Sequence, residues 1–268
     1  MGTKILGALL LTPFISLSAA AQDLFLKLDS YSLEPNSRAV VRVLEGRFQG
    51  IEGAVTLPQY DGIGLHGPAF RGPAVESISL LTNKKTTTIE IQTLGAGTYL
   101  FGVSTVPKLV EQKAAAFNQL LVQDGKADIL AQRRTNNELT QDVHVRLTNS
   151  VRTIFQVADK LSDHYNRRLT FPAELIPQQN PYSLRVGQTI AFLCLVDNRP
   201  IGNQFVTAGW ESREGKIQTL SGRTAADGIV RFKLVADGKW YVEMNHMKAL
   251  TKLNYEVKSA SLTFAVRK

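Results

Sequence analysis

The sequence predicts a mostly β protein that consists of two β-sandwich domains in tandem with a short helical insert between them. Polar and apolar residues alternate over short runs in both halves, as in Thr86 to Gln92 and in Val230 to Leu234. Such alternation with β-branched residues is typical of half-buried strands. Turn sequences such as Asp227-Gly228 and Asp237-Gly238 separate the runs in the second half, at intervals that favour a sandwich.

The first residues have the pattern of a cleavable signal peptide over residues 1–21. Lys4 precedes an apolar run from Ile5 to Leu17, and Ala19 to Ala21 supply the small residues that signal peptidase requires. The apolar run is too short to span a bilayer, and no later stretch is long and apolar enough. We therefore expect a periplasmic or secreted protein that begins at Gln22 and has no transmembrane segment after cleavage.

The rest of the chain divides into three predicted segments. Residues 22–106 are expected to form the N-terminal sandwich domain, with a long loop where Gly and Pro are frequent between residues 62 and 73. Residues 107–167 are expected to form a helical connector and a returning strand, because β-branched residues favour a strand from Val143 to Val157. Residues 168–268 are expected to form the C-terminal sandwich. Tyr31-Ser32-Leu33 and Tyr182-Ser183-Leu184 each precede an apolar run, which supports a duplicated domain.

Charge and cysteine content argue against several kinds of function. The formal net charge is +8, but the basic residues are dispersed and form no stripe with aromatic residues. We therefore expect no nucleic-acid binding. The one cysteine, Cys194, lies in an apolar run, so it is predicted to be a small buried hydrophobic residue. A single cysteine also excludes an internal disulfide.

The sequence lacks the common motifs of enzymes. It has no Gly-x-Ser-x-Gly elbow, no His-Glu-x-x-His, no phosphate-binding glycine loop and no Cys-x-x-Cys pair. His66, His144 and His164 are far apart in the sequence, and we interpret them as surface residues. The sequence therefore predicts a protein that is not an enzyme and has no catalytic residues.

His246 is the histidine with two competing interpretations. Every second residue from Trp240 to His246 shares one face of a predicted strand. In one interpretation this face packs in the sandwich and His246 bonds to the backbone at its end. In the other, the imidazole joins Met247 or Met244 and the carboxylate of Glu256 as ligands of a late first-row metal.

A set of short motifs occurs in order along the C-terminal half. The motifs are Ala173-Glu174-Leu175-Ile176-Pro177, Asn180-Pro181-Tyr182, Asn198-Arg199-Pro200-Ile201-Gly202, Trp240 to Met247 and Ala260-Ser261-Leu262-Thr263-Phe264. With them the chain resembles a family of exported bacterial proteins that is built on a domain of unknown function. Members of this family are often labelled nickel- or cobalt-uptake-associated periplasmic components. The segment Asp23 to Tyr31 fits the same pattern, so the resemblance covers nearly the whole mature chain.

The resemblance implies a non-enzymatic periplasmic binding or accessory protein. Such a protein would handle a divalent transition metal, nickel or cobalt, near a metal-uptake system or an outer-membrane protein. The pairs His246-Met247 and Tyr255-Glu256 match the family's pattern, which implies His246, Met247 and Glu256 as candidate metal ligands. Gln22 stands where the family usually has a histidine directly after the cleavage site, so one ligand of that pattern is replaced here.

An interaction module is the alternative. The turn Asn198 to Gly202 and the later Asp-Gly turn resemble those of transthyretin-like and carboxypeptidase-regulatory-like sandwiches, which bind protein or polysaccharide without chemistry. The predicted fold class is thus two tandem immunoglobulin-like or transthyretin-like β-sandwich domains. The two functional hypotheses differ in whether a metal ion stabilises the protein.

Overall fold

The computed structural model describes residues 24–46, 48, 51–52, 60–68, 78–82, 87–212 and 214–268. The predicted signal peptide and Gln22 lie outside the described residues. None of the helices in the described part combines the length and the hydrophobicity that a membrane-spanning helix needs.

The described elements are mostly strands, with two helices near the middle of the chain. The first strands are β1 (Leu24–Leu28), β2 (Ser32–Leu33), β3 (Arg38–Glu45), β4 (Ile51–Glu52), β5 (Tyr60–His66), β6 (Ile78–Thr82), β7 (Thr87–Gln92), β8 (Gly97–Thr105) and β9 (Lys108–Gln112). The helices α1 (Ala114–Gln123) and α2 (Ala127–Thr135) and the long strand β10 (Val143–Val157) follow. The remaining strands are β11 (Ala173–Pro177), β12 (Thr189–Val196), β13 (Arg199–Pro200), β14 (Phe205–Glu211), β15 (Ile217–Arg223), β16 (Ile229–Lys233), β17 (Gly238–Thr251) and β18 (Asn254–Val266).

The strands form three sheets. The N-terminal sheet has the order β1-β3-β7-β6, with β4 on β3, and the C-terminal sheet has the order β11-β12-β13, with β16 on β12. The central sheet has the order β15-β14-β17-β18-β10-β8-β5, with β2 and β9 also paired to β10. Most neighbouring strands are antiparallel, but β10 and β18 are parallel, which brings strands from distant parts of the chain together.

The central sheet lies between the other two sheets. On one face, the Ser261 hydroxyl of β18 donates to the Leu24 carbonyl of β1 at 2.6 Å. On the other face, the Arg152 guanidinium of β10 donates to the Leu175 carbonyl of β11 at 3.1 Å. Ser261 is paired in register with Val151, and successive side chains alternate between faces. The two contacts therefore leave from opposite faces, and the sheets of the described residues form three layers.

The predicted mostly β, sandwich-type fold with a helical insert is confirmed. Both helices lie within the predicted connector, and the ambiguous stretch Val143–Val157 is a strand. This strand pairs with β8 from the N-terminal segment and with β18 from the C-terminal segment. The central sheet is therefore continuous across the predicted boundaries at residues 106 and 168, and the division into separately folding domains stays a prediction.

The glycine-rich passage that predicted a loop begins with a strand instead. Residues 60–66 form β5, which pairs with β8. A Cβ atom on Gly64 would lie 2.7 Å from a methyl carbon of Leu169, and one on Gly62 would lie 3.1 Å from the Phe171 ring. Glycine is needed here because the segment around Leu169 packs directly against the backbone of β5, so the loop prediction was wrong for these residues.

A buried ion pair joins the central sheet to the C-terminal sheet. Arg152 Nη1 lies 3.4 Å from Glu174 Oε1, and their side chains are only 1% and 0% exposed. Arg152 also donates to the Arg167 carbonyl, and Glu174 Oε1 accepts from the Leu169 amide at 2.8 Å. Burial lowers the pKa of the Arg152 guanidinium to about 10, an effect that the Glu174 carboxylate opposes.

We predict that Glu174→Gln lowers the free energy of unfolding by about 3–5 kcal/mol, because it leaves the buried Arg152 charge without its counter-charge. Urea denaturation measures the change. The matched control is Glu90→Gln, which breaks an ion pair with Arg38, whose side chain is 70% exposed. That control is expected to cost less than about 1 kcal/mol. Equal losses in the two variants would contradict a special role for the buried pair.

Candidate functional site

His246 is half-buried in β17, near the end of the face that packs on the C-terminal sheet. It is paired in register with Lys258 of β18, and Lys248 is paired with Glu256. Because paired and alternate residues share a face, all four side chains leave the sheet on the same side. The register therefore brings His246 and Glu256, two of the predicted ligands, to one face.

A hydrogen bond to Gln204 selects the tautomer of the neutral His246 ring. The Gln204 amide nitrogen donates to the carbonyls of Phe205 at 2.9 Å and Asn245 at 3.1 Å, which uses both of its hydrogens. Its oxygen Oε1 therefore faces His246 Nδ1 at 3.2 Å. Nδ1 must carry the hydrogen of the neutral ring, and Nε2 is then the acceptor nitrogen.

Cationic groups surround this imidazole. Lys126 Nζ lies 3.4 Å from Gln204 Oε1, and Lys258 Nζ contacts both carboxylate oxygens of Asp197 at 2.7 Å. Burial lowers the pKa of His246, and Lys126 and Lys258 lower it further, while Asp197 and Glu256 act in the opposite direction. The site therefore holds a neutral imidazole with an oriented acceptor nitrogen beside two ammonium groups.

Met247 lies on the opposite face of the sheet from His246. It is buried in a core cluster with Phe117 of α1 and with Tyr255 and Val257 of β18. A step of one residue along a strand reverses the side-chain direction, so Met247 cannot join His246 at one metal ion.

Glu256 lies on the His246 face but is held by cations. Its carboxylate oxygens lie 3.6 Å from Lys258 Nζ and 4.0 Å from Arg146 Nη1. Among the described residues, no group of three or more His, Cys, Asp or Glu side chains is arranged to hold a metal ion. The role of His246 and Glu256 as ligands stays a prediction.

His164 contacts a serine, but the contact belongs to a turn. His164 Nδ1 lies 3.0 Å from Ser162 Oγ, and the Ser162 hydroxyl also donates to the Thr98 carbonyl at 3.1 Å and accepts from the Thr98 amide at 2.9 Å. The serine is thereby held by backbone groups on both sides. His66 and His164 are half-buried rather than fully exposed, and burial lowers the pKa of each.

Cys194 is buried in the main core, as its sequence predicts. Burial raises the pKa of its thiol to about 12. The thiol is therefore protonated at neutral pH, and it is unsuited to act as a nucleophile or a metal ligand.

A groove of about 700 Å³ lies on the opposite face of the central sheet, and we name it the Tyr241 groove. Its floor is formed by β14, β15 and β17. Its walls are Gly46 and Phe48 after β3, the C-terminal turn of α1 with Gln123 and Asp124, and the turn that leads into β15. Three distant parts of the chain thus build one concave surface.

Tyr241 forms a rigid floor for this groove because it lies across a glycine. A Cβ atom on Gly209 would lie 2.5 Å from a Tyr241 ring carbon and 2.6 Å from the Gln218 carbonyl oxygen. The Tyr241 ring also stacks on Phe48 with centroids 5.0 Å apart and meets Phe25 edge-on at 5.5 Å. With 5% of its surface exposed, Tyr241 supports the groove from below.

The lining that faces the ligand space presents polar and apolar surface in about equal parts. Thr207 and Glu243 are directly opposite each other in register, as are Gly209 and Thr219, so the two threonines and Glu243 leave the sheet on the Tyr241 side. Asp124 adds a second carboxylate. Sequence reasoning missed this groove because its residues are far apart in the chain. One sequence signal is Gly209, since a glycine inside a strand pattern often marks a close approach.

A further cavity of about 630 Å³ lies between α2 and the tip of the β17–β18 hairpin. Leu250 and Tyr255 are among its lining residues. It is more open than the Tyr241 groove and serves as a point of comparison for ligand binding.

The chain is similar to a family known from sequence and to several solved structures. The family model described as Domain of unknown function (DUF4198) matches residues 19–248, while no curated protein matches the chain. This match confirms the predicted resemblance to a domain-of-unknown-function family, and the nickel or cobalt role stays a prediction.

Two of the similar structures are adhesin domains and one is a further domain of unknown function. The D0-D1 domain of intimin is 13% identical with a TM-score of 0.22, over 90% of this chain and 97% of that chain. The adhesin FdeC of Escherichia coli is 10% identical with a TM-score of 0.24, over 92% and 64% of the two chains. A DUF4785 family protein of Legionella pneumophila is 8% identical with a TM-score of 0.24, over 82% and 50%.

We predict that His246→Gln reduces the amount by which the free energy of unfolding falls when the pH is lowered from neutral to mildly acidic. The folded-state pKa of His246 lies below its ordinary value of 6.5, so the unfolded chain takes up a proton first as the pH falls. The contribution of the neutral ring to the free energy of unfolding is therefore fully present above the ordinary pKa of 6.5. It is lost as the pH falls through the folded-state pKa.

Urea denaturation at about pH 7 and pH 5 measures this effect. His66 and His164 act in the same direction, so the variant removes only part of the decline. His144→Gln is the control, because that side chain is exposed on the same sheet. An unchanged decline in His246→Gln would contradict the prediction.

Proposed function

The chain belongs to the DUF4198 family, whose domain is described as one of unknown function, and we propose that it is a non-catalytic binding protein that takes its ligand in the Tyr241 groove. The signal-peptide pattern of residues 1–21 supports a site of action in the periplasm or the medium. This proposal corresponds to the interaction-module alternative of the sequence analysis.

The preformed Tyr241 groove is the observation that carries the proposal. Its volume of about 700 Å³ falls within the range of roughly 300–1,000 Å³ that is usual for small-ligand sites. Its floor is held by aromatic stacking and by the close approach of Tyr241 to Gly209. A ligand therefore does not have to order the floor when it binds, and this lowers the entropic cost of binding.

The residue types in the groove support binding without chemistry. Among the described residues that line it, there is neither a histidine nor a cysteine, which are the most frequent general base and the most reactive side-chain nucleophile of enzymes. The Ser162–His164 contact is outside the groove, and backbone groups hold that serine in its turn.

We predict that Thr207→Trp, which fills the middle of the groove, weakens ligand binding by at least about tenfold, or 1.4 kcal/mol. A fluorine-detected NMR screen of a fluorinated fragment library against the purified chain measures this. Fragments that bind the native chain are expected to lose binding to Thr207→Trp and to keep it with Leu250→Trp, which fills the hairpin cavity. Loss of fragment binding in Leu250→Trp but not in Thr207→Trp would place the ligand site outside the Tyr241 groove and contradict the proposal.

Metal handling at His246 is a second candidate, which a specific observation favours. Metal-binding histidines usually donate their other ring N–H to an oxygen that fixes the ring, and Gln204 Oε1 plays this part for Nδ1 of His246. Nε2 then has the lone pair that a divalent nickel or cobalt ion needs. Glu256 and Asp197 are the nearby carboxylates, although Lys258 contacts both of them.

If this second candidate is correct, nickel, cobalt, copper or zinc at about 100 times its Kd raises the free energy of unfolding by roughly 2.7 kcal/mol. Thermal melting of the untagged chain with each metal chloride measures this. His246→Gln is expected to abolish the effect, and Met247→Leu is expected to preserve it because Met247 faces the helices. No stabilisation by any of the four metals, or stabilisation that survives His246→Gln, would exclude the site.

A further inference from the structure

Strand β15 forms one end of the central sheet. Within the described part of the chain it pairs with β14 alone, so its second edge has no neighbouring strand. We propose that a second copy of the chain adds its own β15 at this edge, in antiparallel orientation, and joins two central sheets into one. Three features carry the proposal, namely the direction of the backbone groups, the lack of edge protection and the self-complementary sequence of the strand.

Alternate residues of β15 point their backbone groups away from β14. Hydrogen-bonded pairs mark both ends of this ladder, because the Ser212 amide donates to the Lys216 carbonyl at 2.8 Å and the Thr224 amide donates to the Gln204 carbonyl at 3.0 Å. Bonded and non-bonded pairs alternate in an antiparallel ladder, so the even-numbered residues of β15 bond to β14. The odd-numbered residues direct their N–H and C=O groups to the open edge, and they are Ile217, Thr219, Ser221 and Arg223.

The open edge of β15 lacks the usual protection against pairing. Proteins blunt such edges with charged residues, proline, bulges or very short strands. Residues 217–222 read Ile-Gln-Thr-Leu-Ser-Gly, without charge or proline, and the register with β14 has no bulge. The edge strand β16 provides the contrast, because Arg231 and Lys233 are exposed along it. A regular, uncharged edge is the template to which a further strand can be added.

The sequence of β15 fits a second copy of itself in one register. Antiparallel pairing centred on Leu220 places this residue opposite the same residue of the second copy. Thr219 then lies opposite Ser221, and Ile217 lies opposite Arg223. This is the antiparallel register in which all four outward-facing residues of one copy pair with the four of the other, so every outward N–H and C=O gains a partner.

The side-chain pairs of this register are also compatible. Leu220 is half-buried and packs against the main core, and at the centre of the joint it meets a second leucine. Thr219 and Ser221 place hydroxyl beside hydroxyl, which favours antiparallel pairing. Arg223, the charged residue of the strand, lies opposite Ile217 rather than another charge. The second copy brings this matching pattern with it, which favours it over an unrelated peptide.

The joined sheet places both Tyr241 grooves on one side. Thr219 lines the groove, and Ser221, which shares its face of the strand, is its partner in the second copy. Because paired residues share a face, the two grooves open in the same direction. On the proposed function of the groove, such a dimer can bind a ligand with repeated units at two points.

Sedimentation velocity of the purified chain tests the association. Loading concentrations from about 1 μM to about 1 mM cover the Kd range of weak to moderate complexes. We expect a reversible equilibrium of monomer and dimer within this range.

Disulfide trapping tests the register. Leu220→Cys places two thiols opposite each other, with Cα atoms about 4.5 Å apart, within the roughly 4.4–6.8 Å that a disulfide requires. The matched control is Gln218→Cys on the same face of the same strand, whose counterpart lies roughly 14 Å away along the strands. Cys194 is buried in the core and does not compete. We expect mild oxidation to cross-link Leu220→Cys into dimers and to leave Gln218→Cys monomeric on a denaturing gel.

Two further variants connect the dimer to this edge. Ser221→Pro removes an outward amide, and Leu220→Lys places two ammonium groups opposite each other. Each is expected to raise the Kd of the dimer at least about tenfold, and the lysine variant covers the case in which proline disturbs the β14–β15 hairpin. Leu250→Lys is the control, since it adds the same charge at an exposed leucine of another hairpin. Circular dichroism confirms that each variant folds.

Four results would overturn the inference. A native chain that stays monomeric at every concentration excludes the dimer, and equal cross-linking of the two cysteine variants excludes the register. A dimer that survives both Ser221→Pro and Leu220→Lys has its interface elsewhere. A monomer that binds unfolded casein, in a manner that Leu220→Lys abolishes, has an edge that accepts foreign strands instead of a second copy.

Discussion

The position of strand β10 at the centre of the protein is the constraint on which the other elements depend. It pairs with strands from both ends of the chain, and its Arg152 forms the buried ion pair with Glu174 of the C-terminal sheet. A slip of one residue would turn Arg152 to the face that β1 covers, away from its carboxylate. The large free-energy cost of an unpaired buried charge therefore fixes the register of β10, and with it the stacking of the three sheets.

This stacking also explains why the Tyr241 groove exists. The N-terminal sheet covers one part of a face of the central sheet, where Ser261 and Thr263 bond to the carbonyls of Leu24 and Leu26. The helices cover another part of the same face, where Phe117 packs with residues of β10 and β18. The outer strands β14 and β15 and the adjoining part of β17 lie where the two coverings meet solvent, and they form the floor of the groove between Phe48 and α1.

The sequence was sufficient for the local structure and insufficient for what depends on distant contacts. Alternation predicted the strands, and β-branched residues correctly predicted a strand at Val143–Val157. Glycine frequency wrongly predicted a loop at residues 62–66, because the close packing of Leu169 and Phe171 is invisible in a local pattern. The parallel pairing of β10 with β18 had no local signal at all.

The same division holds for the candidate sites. Alternation within one strand suffices to separate His246 from Met247, because adjacent residues in a strand face opposite ways. The partnership of His246 with Gln204 and Lys126 depends on segments that meet only in the folded protein. The Tyr241 groove combines residues from three segments, so no window of sequence contains it.

The hydroxyl bonds between β18 and β1 also set the order in which this protein acquires its structure. Ser261 and Thr263 meet Leu24 and Leu26 across 237 residues of chain, and β10 lacks the parallel strand that pairs with most of its length until β18 is available. Contacts of such long range form slowly, so a nascent chain emerging from the ribosome lacks the half of its central sheet that contains β14, β15, β17 and β18 until its last residues are made. The N-terminal sheet consequently reaches its docked position on β18 only when synthesis of the chain is nearly finished.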